Sequence, residues 1–201
     1  MLDVFANNPL ANVPRHPTQP QKSEPTQRFD DVFSALKENY PVTPKDSTAL
    51  FLSRKGIGEK EARSLADSLR QNTLIKHLIL AHNQLTDFAV AALADMLKVN
   101  HFIGWLVLNN NAIGNAGAKA LAEALKKNKG VKHVILADNH IGDEGAVALA
   151  DSLTSNPTIE SIFLSGNPVG EPGLNALQNL FYQNKTIRIV DVHEKGVVLK
   201  K

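Results

Sequence analysis

Cysteine is absent from the 201 residues, which excludes a disulfide framework, a thiolate metal site and a cysteine nucleophile. A reducing, cytoplasmic setting fits that absence. No segment approaches the run of about 18 apolar residues that a membrane span needs, so no membrane partner is expected. The N-terminus has an early Asp3 and no basic start followed by an apolar run, unlike a secretory signal peptide. Neither sign of charge dominates. Lys and Arg number 22 against 20 Asp and Glu, too even a balance to argue for nucleic acid. Aromatic residues are scarce, with a single tryptophan. No Walker loop, nucleophile elbow or His-Glu-x-x-His segment occurs. No enzyme activity and no cofactor are therefore expected.

What the sequence does contain is a repeat. Asn72, Asn100, Asn128, Asn156 and Asn184 follow one another at a fixed period of 28 residues. In that register one column reads Leu50, Leu78, Leu106, Val134, Ile162 and Val190. Two residues on, the column is Leu52, Leu80, Leu108, Leu136, Leu164 and Val192. Then come Asn83, Asn111, Asn139 and Asn167, followed by Ile57, Leu85, Ile113, Ile141 and Val169. The second half of each unit repeats Leu65, Leu93, Leu121, Leu149 and Leu177. Apolar residues two apart point to one face of a strand, and Leu149, Ala150 and Leu153 recur at helical spacing. Each unit is thus predicted to be one strand and one helix.

The pattern, clearest from Ile103 to Leu125, resembles the ribonuclease-inhibitor type of leucine-rich repeat. The resemblance covers roughly residues 44–192. It implies an α/β fold: a right-handed curved leucine-rich repeat solenoid with a parallel sheet of about six strands on the concave face and helices on the convex face. Asn83, Asn111, Asn139 and Asn167 are then expected in the turns after the strands, bonding backbone groups that lack a ladder partner. Lys55 and Lys195 would break that ladder in the end units. The period asparagines, such as Asn128, follow the helices and have an explanation as left-handed C-terminal caps.

The predicted organisation has four parts. Residues 1–28, with five prolines among polar residues, read as a disordered leader. Residues 29–43 read as an N-terminal capping helix, since Phe29, Val32, Phe33, Leu36 and Tyr40 recur on one helical face. Repeats occupy 44–192, in units starting near 44, 72, 100, 128 and 156 with a partial unit at 184. Residues 193–201 form a C-terminal cap or tail, with a short strand at Val197–Leu199.

Alternation also assigns the concave face. Between the inward leucines stand Phe51, Ile79, Val107, Ile135 and Phe163, expected as an exposed apolar strip about 20 Å long at the usual strand spacing. The preceding column holds His77, Trp105 and His133, so the only tryptophan lies mid-sheet between histidines. Asn109 and Asp138 belong to the polar columns beyond. A tryptophan at the centre of an apolar patch has the character of a binding hot spot. Parallel strands also favour β-branched residues for packing alone, and the polar leader has a third role open to it as a cover for the strip. His77 and His133 lie two strands, about 10 Å, apart, too far to share a metal ion with bonds near 2 Å. No metal is expected.

The resemblance implies a non-catalytic protein-interaction module, a monomer by default, that binds a protein partner on its concave face. Relatives of this repeat class include innate-immune receptors, actin pointed-end caps and effectors that bacteria inject into hosts. A short solenoid behind a polar leader is similar in architecture to the effectors, which act inside a host cell without a classical signal peptide. A second class implied by the resemblance is a regulator of actin filament ends or of a small GTPase, the latter similar to the activator of Ran, for which Arg54 is the residue to nominate. The acidic tail and longer repeats of that family are missing here.

Overall fold

The computed structural model describes residues 29–40, 48–192 and 197–201. The Pro-rich leader 1–28, residues 41–47 and the 193–196 segment with Lys195 lie outside the described residues. In chain order the elements are α1 (Phe29–Lys37), β1 (Ala49–Phe51), α2 (Glu59–Leu69), β2 (His77–Ile79), α3 (Asp87–Leu97), β3 (Trp105–Val107) and α4 (Asn115–Leu125). They continue as β4 (His133–Ile135), α5 (Asp143–Thr154), β5 (Ser161–Phe163), α6 (Glu171–Gln183), β6 (Ile189–Val192) and β7 (Val197–Lys200).

The 28-residue period is the register of the sheet. Leu50 pairs with Leu78, Leu78 with Leu106, Leu106 with Val134, and so on to Val190. β1 to β6 run parallel in sequence order, and β7 closes the series antiparallel to β6. Successive helices pack side by side, α1 on α2 through to α6. Neighbouring strands sit about 4.8 Å apart and packed helices about 8–10 Å apart. A stack of such units must curve with its sheet inside. The chain is an α/β leucine-rich repeat solenoid.

The main core lies between the two layers, with Leu50, Leu78, Leu106, Val134 and Ile162 from the sheet meeting Leu65, Leu93, Leu121, Leu149 and Leu177 from the helices. Close helix packing depends on small residues. A Cβ at Gly145 would come within 2.8 Å of Ile141 Cγ2 and 2.9 Å of Asn115 Oδ1.

Three sets of polar bonds tie each unit to the next. In the strand-to-helix turns, Asn111 Nδ2 donates to Leu80 O and Leu108 O, while its Oδ1 accepts from Leu85 N. Asn83, Asn139 and Asn167 repeat the arrangement, and Lys55 N donates to Asn83 Oδ1. At the helix N-termini the caps come from the preceding unit. Asp87 Oδ1 accepts from Gly114 N and Gly117 N, Asn115 Oδ1 from Gly142 N and Gly145 N, and Asp143 Oδ1 from Gly170 N and Gly173 N. These bonds satisfy donors that a helix start otherwise leaves free.

The third set corrects the reading of the period asparagines. Among the described residues the non-glycine positive-φ positions are Asn39, Arg54, His82, Asn110 and Asp138, so Asn72, Asn100, Asn128, Asn156 and Asn184 are not left-handed caps. Their side chains form a second buried ladder instead. Asn128 Nδ2 donates to Leu97 O and Asn100 O, and its Oδ1 accepts from Gly130 N and Val131 N. The left-handed column is Arg54, His82, Asn110, Asp138 and Gly166, immediately before the first asparagine ladder.

α1 enters the same scheme. Phe33 and Leu36 are buried, and Leu36 O accepts from Asn72 Nδ2 at 2.9 Å, as Leu69 O accepts from Asn100 Nδ2. The helix ends at Lys37, short of residue 43. Asn39 turns left-handed with φ of 58°, and Tyr40 N bonds back to Ala35 O, a Schellman ending. Tyr40 is thereby sent into solvent rather than onto the apolar face of the helix.

Candidate functional site: the concave sheet face

Strand alternation puts residues 49, 51 and their 28-residue equivalents on the face opposite the helices. The strip there differs from the exposed one expected. Ile79, Val107, Ile135 and Phe163 are only 2–6 % exposed, and they form a second apolar cluster with Ala49 and Ala81, against which Phe51, Trp105 and Ile189 pack. Equal register makes each strip residue the direct neighbour of the next, so β-branched and aromatic side chains shield one another. A large solvent-exposed apolar patch is therefore not what this column supplies.

The adjoining row is more open. His77, Trp105 and His133 are each half-buried. The Trp105 and His133 rings stack at 3.9 Å between centroids, and His77 lies 6.1 Å away on the other side. Each histidine is held by a hydroxyl of a neighbouring strand or its approach: His133 Nδ1 lies 2.8 Å from Ser161 Oγ, and His77 Nδ1 3.5 Å from Thr48 Oγ1. Glu160 pairs with Lys132 at 3.0 Å and stands 4.0 Å from His133 Nε2. The Ser161–His133–Glu160 order has the outline of a hydrolytic triad. Ser161 is 1 % exposed, which keeps its hydroxyl from any substrate carbonyl. Beyond the row, Asn109 is half-buried and Asp138 exposed, and Asn110 Nδ2 donates to Asp138 Oδ2 at 3.1 Å.

Burial pushes the His133 pKa below the ordinary 6.5; Lys132 and His77 add to that effect and Glu160 opposes it. His77 is lowered by burial and then by Lys76. The unfolded chain therefore takes up these protons first as pH falls through 6.5. The stabilisation that comes from keeping both rings neutral is complete above pH 6.5 and declines below it. Melting midpoints are expected to fall on acidification through pH 6.5 less steeply in His77→Gln/His133→Gln than in wild type. Equal slopes would refute the assignment.

Several features of the site were missed in the sequence. The left-handed column was marked by Asn110 and Asp138, residue types that tolerate that conformation. The cross-unit caps were marked by an all-acidic or amide column, Glu59, Asp87, Asn115, Asp143 and Glu171.

A solenoid of stacked repeats with an extended inner sheet is a scaffold for protein interaction rather than a closed pocket. The leucine-rich repeat family model matches residues 71–94, 100–122 and 127–150. No curated protein sequence matches the chain. Among solved structures, the chain is similar to actin-binding site 2 of leiomodin-1, with 24 % identity, a TM-score of 0.66, and coverage of 79 % of this chain and 90 % of that one. It is also similar to the tropomodulin C-terminal domain of Caenorhabditis elegans, with 14 % identity, 83 % of each chain covered and a TM-score of 0.49. Pollen receptor kinase 3 aligns at 18 % identity, over 70 % of this chain and 58 % of that one, with a TM-score of 0.39. Among the described residues no helix is long and apolar enough to cross a membrane.

Proposed function

We propose that this chain is a non-catalytic interaction module of the ribonuclease-inhibitor repeat type, holding a protein partner on its concave face around Trp105. The observation that carries the reading is the aromatic row: the only tryptophan stacked on His133 at 3.9 Å and left half-buried over a rigid sheet. A large, preorganised ring flanked by histidines and packed against apolar neighbours is the type of side chain on which binding energy concentrates. The buried strip packs beside this row on the same face of the sheet. Asn109 and Asp138 supply polar contacts at its margin. Action as an effector inside a host cell belongs to the same proposal and rests on the architecture alone.

Trp105→Ala is expected to weaken partner binding by about tenfold or more, with an unchanged circular dichroism spectrum. The check is affinity capture from a eukaryotic lysate with both proteins, followed by titration of the captured partner. A partner held equally by the two proteins would remove Trp105 from the site. The strip residues are unsuitable probes, because a charge at Ile135, 2 % exposed, would disrupt the sheet.

A second reading, binding at actin filament ends, is favoured by the likeness to actin-binding site 2 of leiomodin-1. Co-sedimentation of the chain with filaments, and slowed subunit exchange at one filament end, would support it. Absence of both would leave the general interaction module.

A further inference from the structure

The edge formed by the helix-to-strand turns carries what the sheet face lacks, large apolar side chains in solvent. Phe102 is 53 % exposed, Val99 50 % and Tyr40 66 %. Bonds from Asn100 and Asn128 to the turn before each stack these turns unit on unit, so residues 28 apart are neighbours. Asn39 joins the stack from α1. Its Oδ1 accepts from Thr73 N at 3.0 Å, just as His101 Nδ1 accepts from Lys129 N at 3.4 Å. That equivalence sets Tyr40, half-buried Leu74 and Phe102 in one line along the edge. The line stops at Gly130, which has no side chain to cover Phe102 and whose backbone lies directly against the His101 carbonyl.

Lysines outnumber carboxylates around the end of this line. Lys98, Lys126, Lys127 and Lys129 are all exposed. The nearby carboxylates include Asp95, which holds Lys98 at 2.6 Å, Glu160, which holds Lys132 at 3.0 Å, and the exposed Glu123 and Asp151, which occupy the register of Asp95 on α4 and α5. Among the described residues Lys126, Lys127 and Lys129 make no ion pair. Lysine near a helix C-terminus offsets the helix dipole, which accounts for Lys98 and Lys126. It does not account for Lys129 beyond the helix, nor for two large apolar residues turned to water beside it.

We propose that this edge docks an acidic protein segment with an apolar anchor. The anchor sits on the exposed Phe102 and Val99 side chains, and its flanking carboxylates face Lys126, Lys127 and Lys129. Apolar contact fixes the position, and the lysines raise the association rate and select against basic segments. The surface is separate from the concave row, so either can fail without the other.

The probe is a fluorescein-labelled peptide rich in Glu and Asp around a central Leu-Leu-Phe, titrated by anisotropy with the full chain. Phe102→Ser and Lys126→Glu/Lys127→Glu/Lys129→Glu are each expected to weaken binding about tenfold. Added salt is expected to weaken wild type and leave the lysine variant little changed. Trp105→Ala is expected to bind the peptide as wild type does. These substitutions lie on exposed side chains, and matched melting curves verify folding. The proposal is overturned if the peptide does not bind, or if Phe102→Ser binds it normally. It is equally overturned if an all-acidic peptide or a single-stranded oligonucleotide binds as well as the anchored peptide, which would mark a general polyanion surface. Sedimentation showing a dimer of this chain that is lost in Phe102→Ser would assign the edge to self-association instead.

Discussion

Gly130→Ala is expected to destabilise the chain by about 2–4 kcal/mol, although alanine adds only one methyl group. A Cβ at this position collides with the backbone carbonyl of His101, and its next neighbours are the His101 carbonyl carbon and Cα. A flexible side chain could rotate aside, but a main-chain carbonyl moves only with its whole turn. That turn is pinned. Asn128 Oδ1 accepts from Gly130 N and Val131 N, and Asn128 Nδ2 reaches back to Asn100 O, in the preceding turn. Relief of the clash must therefore stretch the ladder on one side or the other. Gly104 is the internal comparison, because a Cβ there would approach nothing closer than 3.8 Å. Gly104→Ala should be neutral or slightly stabilising through loss of unfolded-state freedom. Thermal denaturation should separate the two variants by about 5–15 °C. Coincident melting curves would mean that the two turns are not pressed together.

Asn128→Ala is expected to cost a similar amount, about 2–4 kcal/mol, by a different route. The side chain is 1 % exposed and makes four bonds to backbone groups, two in the preceding helix-to-strand turn and two in its own. Truncation leaves Gly130 N, Val131 N, Leu97 O and Asn100 O short of a partner where water is excluded. Asn128→Asp distinguishes these bonds from mere loss of volume. The carboxylate keeps its acceptor toward the two N–H groups but turns a second oxygen toward two carbonyls. It should destabilise at least as much as alanine at neutral pH and recover partly in acid, as protonation restores a donor. Denaturant midpoints across pH measure this. An aspartate variant as stable as wild type at neutral pH would show that the donor half of the amide is dispensable.

The strand–helix alternation and the six-strand parallel sheet were legible because each depends on one column of leucines repeating at one period. A column states which residues are neighbours, and for Leu50 through Val190 that is the pairing register itself. Exposure was less legible. Ile79 and Val107 alternate as outward residues should, yet their burial depends on side chains in the adjoining units and columns. The period asparagines were misread for a related reason. Position after a helix suggested a left-handed cap for Asn128, whereas a cross-unit bond such as that to Asn100 O satisfies the same groups with ordinary backbone geometry. Tyr40 fits a helical period that stops earlier, because Asn39 ends the helix. The exposed Phe102 and Val99 stand outside the repeating leucine columns, so the period gives no reason to notice them.

β7 bears on how the edge of β6 is protected. A bare parallel strand offers every incoming unit the same template that its predecessor offered, which is also how sheets recruit foreign chains into fibres. β7 lies on β6 in the opposite direction. Beside it, Lys201 Nζ donates to Asn184 O at 2.6 Å, the carbonyl that the next asparagine of the ladder would otherwise engage. Its ammonium also stands 4.9 Å over the Phe181 ring. The outer edge of β6 is thus covered by a reversed strand and the Asn184 carbonyl is occupied, so a separate copy of the repeat finds neither a bare parallel edge at β6 nor a free acceptor at Asn184.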